Sequence, residues 1–133
     1  MSDSMSGGTA LAPQVFTITR ADLIAYAEAS GDHNPIHQDE AVATSVGLPG
    51  VIAHGMLTLG LVGRAVDEWT GGAEVVELGC KFTQPVVVPA EGAAEVVVAG
   101  TVKTVADGLV TLALEVTCEG TKVLGMPKAV VRG

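Results

Sequence analysis

The stretch Gly55-Met56-Leu57-Thr58-Leu59-Gly60-Leu61-Val62-Gly63-Arg64-Ala65-Val66-Asp67-Glu68-Trp69 decides the fold. Met56, Leu57, Leu59, Leu61, Val62, Ala65 and Val66 leave no clean polar face over its first three turns. A helix that is apolar all round is a buried helix. Charge returns at Arg64, Asp67 and Glu68, so the C-terminal end surfaces, and Gly71-Gly72 supply a stop.

The chain beyond this helix reads as strands. Residues 74–82 alternate, with Val76, Leu78, Cys80 and Phe82 on one face and Glu77 and Lys81 on the other. Residues 94–105 place Val96, Val98 and Val102 on one face, and residues 109–118 do the same with Val110, Leu112, Leu114 and Val116. Asp107-Gly108 between those runs is a strong hairpin signal. Glu119-Gly120 marks a second turn, leading into residues 121–132, and Pro85 and Pro89 separate the first strand from the second. One apolar helix and four antiparallel strands, each with one apolar face, are most simply buried by curling the sheet around the helix. The expected fold is therefore α+β, of hot-dog form: an antiparallel sheet wrapped around a central buried helix.

Upstream, residues 1–13 are rich in Ser, Gly and Ala and read as a flexible tail, leaving residues 14–133 as a single domain. Val15–Ile18 alternate weakly and predict a first short strand. Thr19 is a good N-cap, with Asp22 three residues on, for a helix over Arg20–Ala29 that Ser30-Gly31 ends. Residues 31–38 form a loop, and Asp39 caps a short helix over residues 40–46.

Hydrophobic residues make up 48% of the 133 and aromatics only 3%, so the core is aliphatic. The net charge is −8 and the seven basic residues are scattered, which argues against nucleic-acid and anionic-membrane partners. Cys80 and Cys118 form no CxxC pair and read as reduced thiols in strands. The apolar run near residues 55–66 is too short to span a bilayer, and no secretion signal opens the chain. These features predict a cytoplasmic protein.

The chemistry sits in the loop Ser30-Gly31-Asp32-His33-Asn34-Pro35-Ile36-His37. Asp32 and His37 are five residues apart. A bend at Asn34-Pro35 lets both side chains aim at one point: Pro35 fixes φ, and Asn34 can bond backbone groups and hold the bend. A carboxylate and an imidazole converging there can grip one water, the equipment for adding or removing water by acid–base chemistry. To act as the acid, Asp32 would need burial, which a carboxyl group requires if it is to keep a proton near neutral pH. A second element is His54-Gly55. The first N–H groups of a helix lack internal partners, so the Gly55 N–H is free to polarise a thioester carbonyl. His54 is expected to support the helix start and the loop.

Other candidates take plainer readings. His33 is a solvent-facing spacer, Glu28 is solvated, and Tyr26 and Trp69 are packing residues. Ser30 lacks the surroundings of a nucleophile elbow. The spacings of His33, His37 and His54 do not suit a metal, and no metal is expected.

The segment from Tyr26 to His37, followed by Ala43, resembles the hydratase-2 motif of the MaoC-like (R)-specific enoyl-CoA hydratases. Ala53-His54-Gly55-Met56-Leu57-Thr58, whose His54 lies 17 residues after His37, looks like that family's helix start. The likeness extends over about residues 15–132 and is strongest to the catalytic subunit of actinobacterial (3R)-hydroxyacyl-ACP dehydratases of the type II fatty-acid synthase. It implies a hot-dog fold and a hydro-lyase acting on enoyl thioesters of CoA or acyl carrier protein, without cofactor. It also implies that Asp32 and His37 are the acid–base pair, that Asn34 orients the loop and that the Gly55 N–H polarises the thioester. Open sheet edge and apolar surface predict a homodimer, or a heterodimer with another hot-dog subunit. Two alternatives are a hot-dog acyl-thioesterase and a subunit active only with a partner chain.

Overall fold

The computed structural model describes residues 6–133. Its elements are β1 (Ala10–Ile18), α1 (Arg20–Ser30), a 3-10 turn (Pro35–His37), α2 (Glu40–Ser45), α3 (Gly55–Thr70), β2 (Val75–Phe82), β3 (Ala94–Ala106), β4 (Leu109–Cys118), β5 (Thr121–Lys122) and β6 (Leu124–Arg132). The strands form one antiparallel sheet in the order β1-β3-β4-β6-β2, with β5 added against β4.

Local chemistry accounts for the clearest boundaries. Thr19 and Asp22 make a reciprocal capping box at the start of α1, and Gly31 closes it in the left-handed region at φ 77°. Asp107 and Gly108 take φ 57° and 76°, the two positive values a tight β3–β4 hairpin needs; the register runs from Ala106↔Leu109 to Thr104↔Thr111, then shifts before Val102↔Leu112 and continues through Val98↔Val116. The resulting inner face carries Val96, Val98, Val102, Val110, Leu112 and Val116, all essentially inaccessible to water. Against it α3 lays Val62, Ala65 and Val66.

Four details differ from the sequence reading. The first strand begins at Ala10, not Val15, so the expected tail is shortened; residues 1–5 of that tail lie outside the described part. Ladder bonds such as Gly8 N–H to the Val102 carbonyl (2.7 Å) and Val102 N–H to the Thr9 carbonyl (2.8 Å) recruit these small residues, and Leu11 is buried in the core. The last run divides at Val123, whose N–H bonds the Val116 carbonyl, leaving β5 and β6. In β2 the alternation slips, with a register irregularity between Val75 and Glu77. Finally, α3 is buried on one side only. Met56 is 59% exposed, while Leu57, Leu59 and Leu61 are half-buried, because this chain's sheet covers a single face of the helix.

The segment between α2 and α3 is pinned from both sides. Ala53 N–H bonds the Val86 carbonyl and Val88 N–H bonds the Val51 carbonyl, both at 2.9 Å, while Ile52 N–H reaches the Ile36 carbonyl at 3.2 Å. Arg20 adds a clamp, donating to the Val88 carbonyl and to Glu40, both at 2.7 Å. The loop after α1 and the start of α3 are thereby fixed against one another.

Candidate active site

The loop after α1 folds on its own short side chains. Asp32 N–H donates to the Ser30 hydroxyl, Asn34 N–H to Asp32 Oδ1, and Ile36 N–H to Asn34 Oδ1, each at 3.2 Å. The Asn34 carbonyl accepts from His37 N–H at 3.1 Å and closes the 3-10 turn. Asn34 thus acts on His37 through the backbone. The turn delivers His37, 7% exposed, to the floor of a cavity of about 650 Å³.

Three side chains from two elements meet there. The donor atoms of Asp32, His37 and His54 lie within 4.8 Å of one another. The rings of His37 and His54 stack with centroids 3.8 Å apart and planes 24° from parallel, and Tyr26 tilts against the second ring at 4.7 Å. Each imidazole is oriented by a backbone carbonyl. His37 Nδ1 is 2.7 Å from the Ile52 carbonyl, so Nδ1 carries the proton and Nε2 keeps a free lone pair. His54 Nε2 donates to the Asp32 carbonyl at 3.1 Å, and its Nδ1 is enclosed without a partner among the described residues. His54 therefore joins the loop to the start of α3. Asp32 itself is exposed, because the loop sits at the cavity mouth and nothing among the described residues lies over it.

Gly55 opens α3 beside this cluster. His54 gives no side-chain cap, and among the described residues the Gly55 N–H has no acceptor. A Cβ at Gly55 would stand 2.9 Å from Phe82 Cε1, so this position is closed to any side chain while the ring keeps its place. The rest of the cavity is mainly apolar, formed by residues such as Ile52, Val86, Val123 and Leu124, with Ser30, Thr83 and Gln84 as polar members and Thr58 one turn along α3. His33 is exposed and stands outside the cluster. The sequence reading did not assign a site role to Tyr26, Phe82, Thr58 or the Ile52 carbonyl. Of these only Thr58 carries a signal, as a polar residue inside an apolar helix.

The sheet order, the helix against its inner face and the cavity at the helix start define a hot-dog fold. The chain belongs to the MaoC like domain family, whose model matches residues 4–121. It is 40% identical to 3-hydroxyacyl-thioester dehydratase X of Mycobacterium tuberculosis over 76 residues, which are 57% of this chain and 26% of the relative. Among solved structures, a MaoC-like dehydratase superposes with a TM-score of 0.93 at 34% identity, covering 98% of this chain and 41% of the other. The (R)-hydratase from A. caviae involved in PHA biosynthesis superposes at 0.86 with 25% identity, covering 98% of both chains. The match thus spans about a quarter of the curated relative and under half of the first of these structures.

Proposed function

We propose that the chain is a hydro-lyase that interconverts a trans-2-enoyl thioester of CoA or acyl carrier protein and the (3R)-3-hydroxyacyl thioester. The observation that carries this reading is the His37 ring. Its Nδ1–H is committed to the Ile52 carbonyl, which leaves Nε2 as a base beside the Asp32 carboxylate. A water held between them loses a proton to the pair as its oxygen bonds to C3. Electron density moves through C2 to the thioester oxygen, where the Gly55 N–H and the positive end of α3 receive it. The pair then returns one proton to C2, and the elements of water have been added across the double bond. One C–O and one C–H bond form as the π bond and one O–H bond of water are lost, so the step balances with the pair as proton carrier.

We also read the chain from Ala10 onward as one hot-dog domain that works beside a second hot-dog unit. Met56 and Phe82 at the cavity and Val75 and Val76 on β2 are 41–59% exposed, an apolar strip that a second unit would cover. The ChsH1-ChsH2 complex of Mycobacterium tuberculosis, with the same fold at a TM-score of 0.83 and 21% identity, is such a pair. The free thiols Cys80 and Cys118 suit a reducing compartment such as the cytoplasm.

The test is hydration of crotonyl-CoA, followed as loss of enoyl absorbance with chiral analysis of the product. Asp32→Asn should lower turnover by orders of magnitude while leaving the thermal transition in place. Near-normal turnover in that variant would sink the assignment. Release of free thiol in place of hydration would favour the thioesterase reading.

A further inference from the structure

Thr58 is 2% exposed and lies one turn along α3 from Gly55, on the wall of the same cavity. Buried helical threonines usually satisfy their hydroxyl on the carbonyl four residues back. Thr70 does so on Val66 at 2.8 Å, and the exposed Thr44 does so on Glu40 at 3.0 Å. Thr58 does not. The carbonyl it would use, that of His54, already accepts from Leu57 N–H at 3.1 Å and Thr58 N–H at 3.3 Å. Among the described residues the Thr58 hydroxyl has no partner, yet it is not sealed in protein as His54 Nδ1 is. The open space it reaches is the cavity.

An unpaired hydroxyl on a buried wall bears an uncompensated desolvation cost if nothing bonds it. The helix geometry says what it can reach. Side chains lean toward the helix N-terminus, so Thr58 Oγ1 overhangs the turn that begins at Gly55. Positions three apart share a face, and Gly55 places no side chain in between. Asp32 and His37 serve the water and the C2 proton, which leaves the thioester oxygen with one backbone donor for a developing full charge.

Resting on the hydratase reading above, we propose that the Thr58 hydroxyl is a second donor to the thioester oxygen, acting with the Gly55 N–H. Thr58 then touches the reacting atoms, and its bond shortens as the oxygen gains enolate charge. It explains a polar residue in an otherwise apolar helix turn without calling on structural need.

Thr58→Val keeps the shape and removes the hydroxyl; Thr58→Ala serves if valine packs poorly; Thr58→Ser keeps the donor. With crotonyl-CoA, Val or Ala should lower kcat by about 10²-fold, in the range found for loss of one oxyanion donor, with KM changed by no more than about threefold. Thr58→Ser should recover most of that loss. The infrared carbonyl band of crotonyl-CoA bound to the Asp32→Asn form should move to higher frequency when Thr58→Val is added. A kcat unchanged in Thr58→Val, a Ser variant as impaired as Val, or an unmoved carbonyl band each overturns the proposal. A wild-type protein that does not hydrate enoyl thioesters removes the hydratase reading and this assignment with it; a wild type that does, with Thr58→Val equally active, removes Thr58 alone.

Discussion

Gly55→Ala should separate catalysis from stability. The added Cβ would lie 2.9, 3.0 and 3.3 Å from Phe82 Cε1, Cδ1 and Cζ. Carbon atoms settle at about 3.5–4.0 Å, so ring and helix start must part by roughly half an ångström to one ångström. Overpacking a well-filled site costs about 1–3 kcal/mol. Here the low end applies, because Phe82 is 57% exposed and its ring can swing outward. Alanine also gains up to about 1 kcal/mol over glycine in a helix, which offsets the strain. The net change in stability is therefore within about 1 kcal/mol, or a shift in Tm of at most about 4–8 °C for a domain of this size. Catalysis has no such compensation. The Gly55 N–H must meet an oxygen at about 2.7–3.1 Å, and a misplacement near 1 Å costs about 10²-fold.

The assay is crotonyl-CoA hydration beside a thermal melt, for Gly55→Ala, Phe82→Leu and the double variant. Gly55→Ala should lose about 10²-fold in kcat, and the double variant should recover roughly tenfold of it because the shorter side chain yields room. A double variant no better than Gly55→Ala would refute the steric route through Phe82. A Gly55→Ala enzyme with normal kcat would refute the need for a bare glycine at the helix start.

Two further outcomes follow from the same geometry. His54→Phe keeps a ring against His37 and loses the bond to the Asp32 carbonyl, so stability should stay within about 1 kcal/mol, since the enclosed Nδ1 is also removed. Turnover should nevertheless drop at least about tenfold as the Asp32 loop loosens, which kinetics and amide exchange over residues 31–38 would register together. Burial pushes the Cys118 thiol above its ordinary 9.0, with Glu119 and Glu95 adding to the push. The fold thus favours the neutral thiol, whose contribution is full below pH 9.0 and lost as pH rises through the higher folded value. Urea midpoints should fall more steeply above that pH in the wild type than in Cys118→Ala.

Much of this fold was legible because local and tertiary demands agree. Asp107-Gly108 can close only a tight hairpin, and the valines of β3 and β4 alternate as a one-faced sheet requires. The start of β1 was hidden because Ala10 and Leu11 owe their conformation to β3, and nothing in the composition of residues 10–13 announces a strand. The exposed side of α3 was misread for a related reason. Apolarity all round a helix says that it is covered, not that its own chain covers it. Within the site, the convergence of Asp32 and His37 could be read from Asn34-Pro35. The parts that orient them could not: the Ile52 carbonyl and the Asp32 carbonyl are backbone atoms, identical in every residue type.

Trp69 gives the molecule a direction. Its indole N–H caps the Ala12 carbonyl at 2.8 Å, within a β1 irregularity that also holds Pro13, which has no N–H to offer. Among the described residues no side chain bonds the backbone of β2, the strand at the other end of the sheet. At the β1 rim the irregularity and the missing Pro13 N–H interrupt the row of backbone groups that another strand would need, and the tie from α3 holds that interruption in place. The helix thus guards a sheet edge that it does not itself cover.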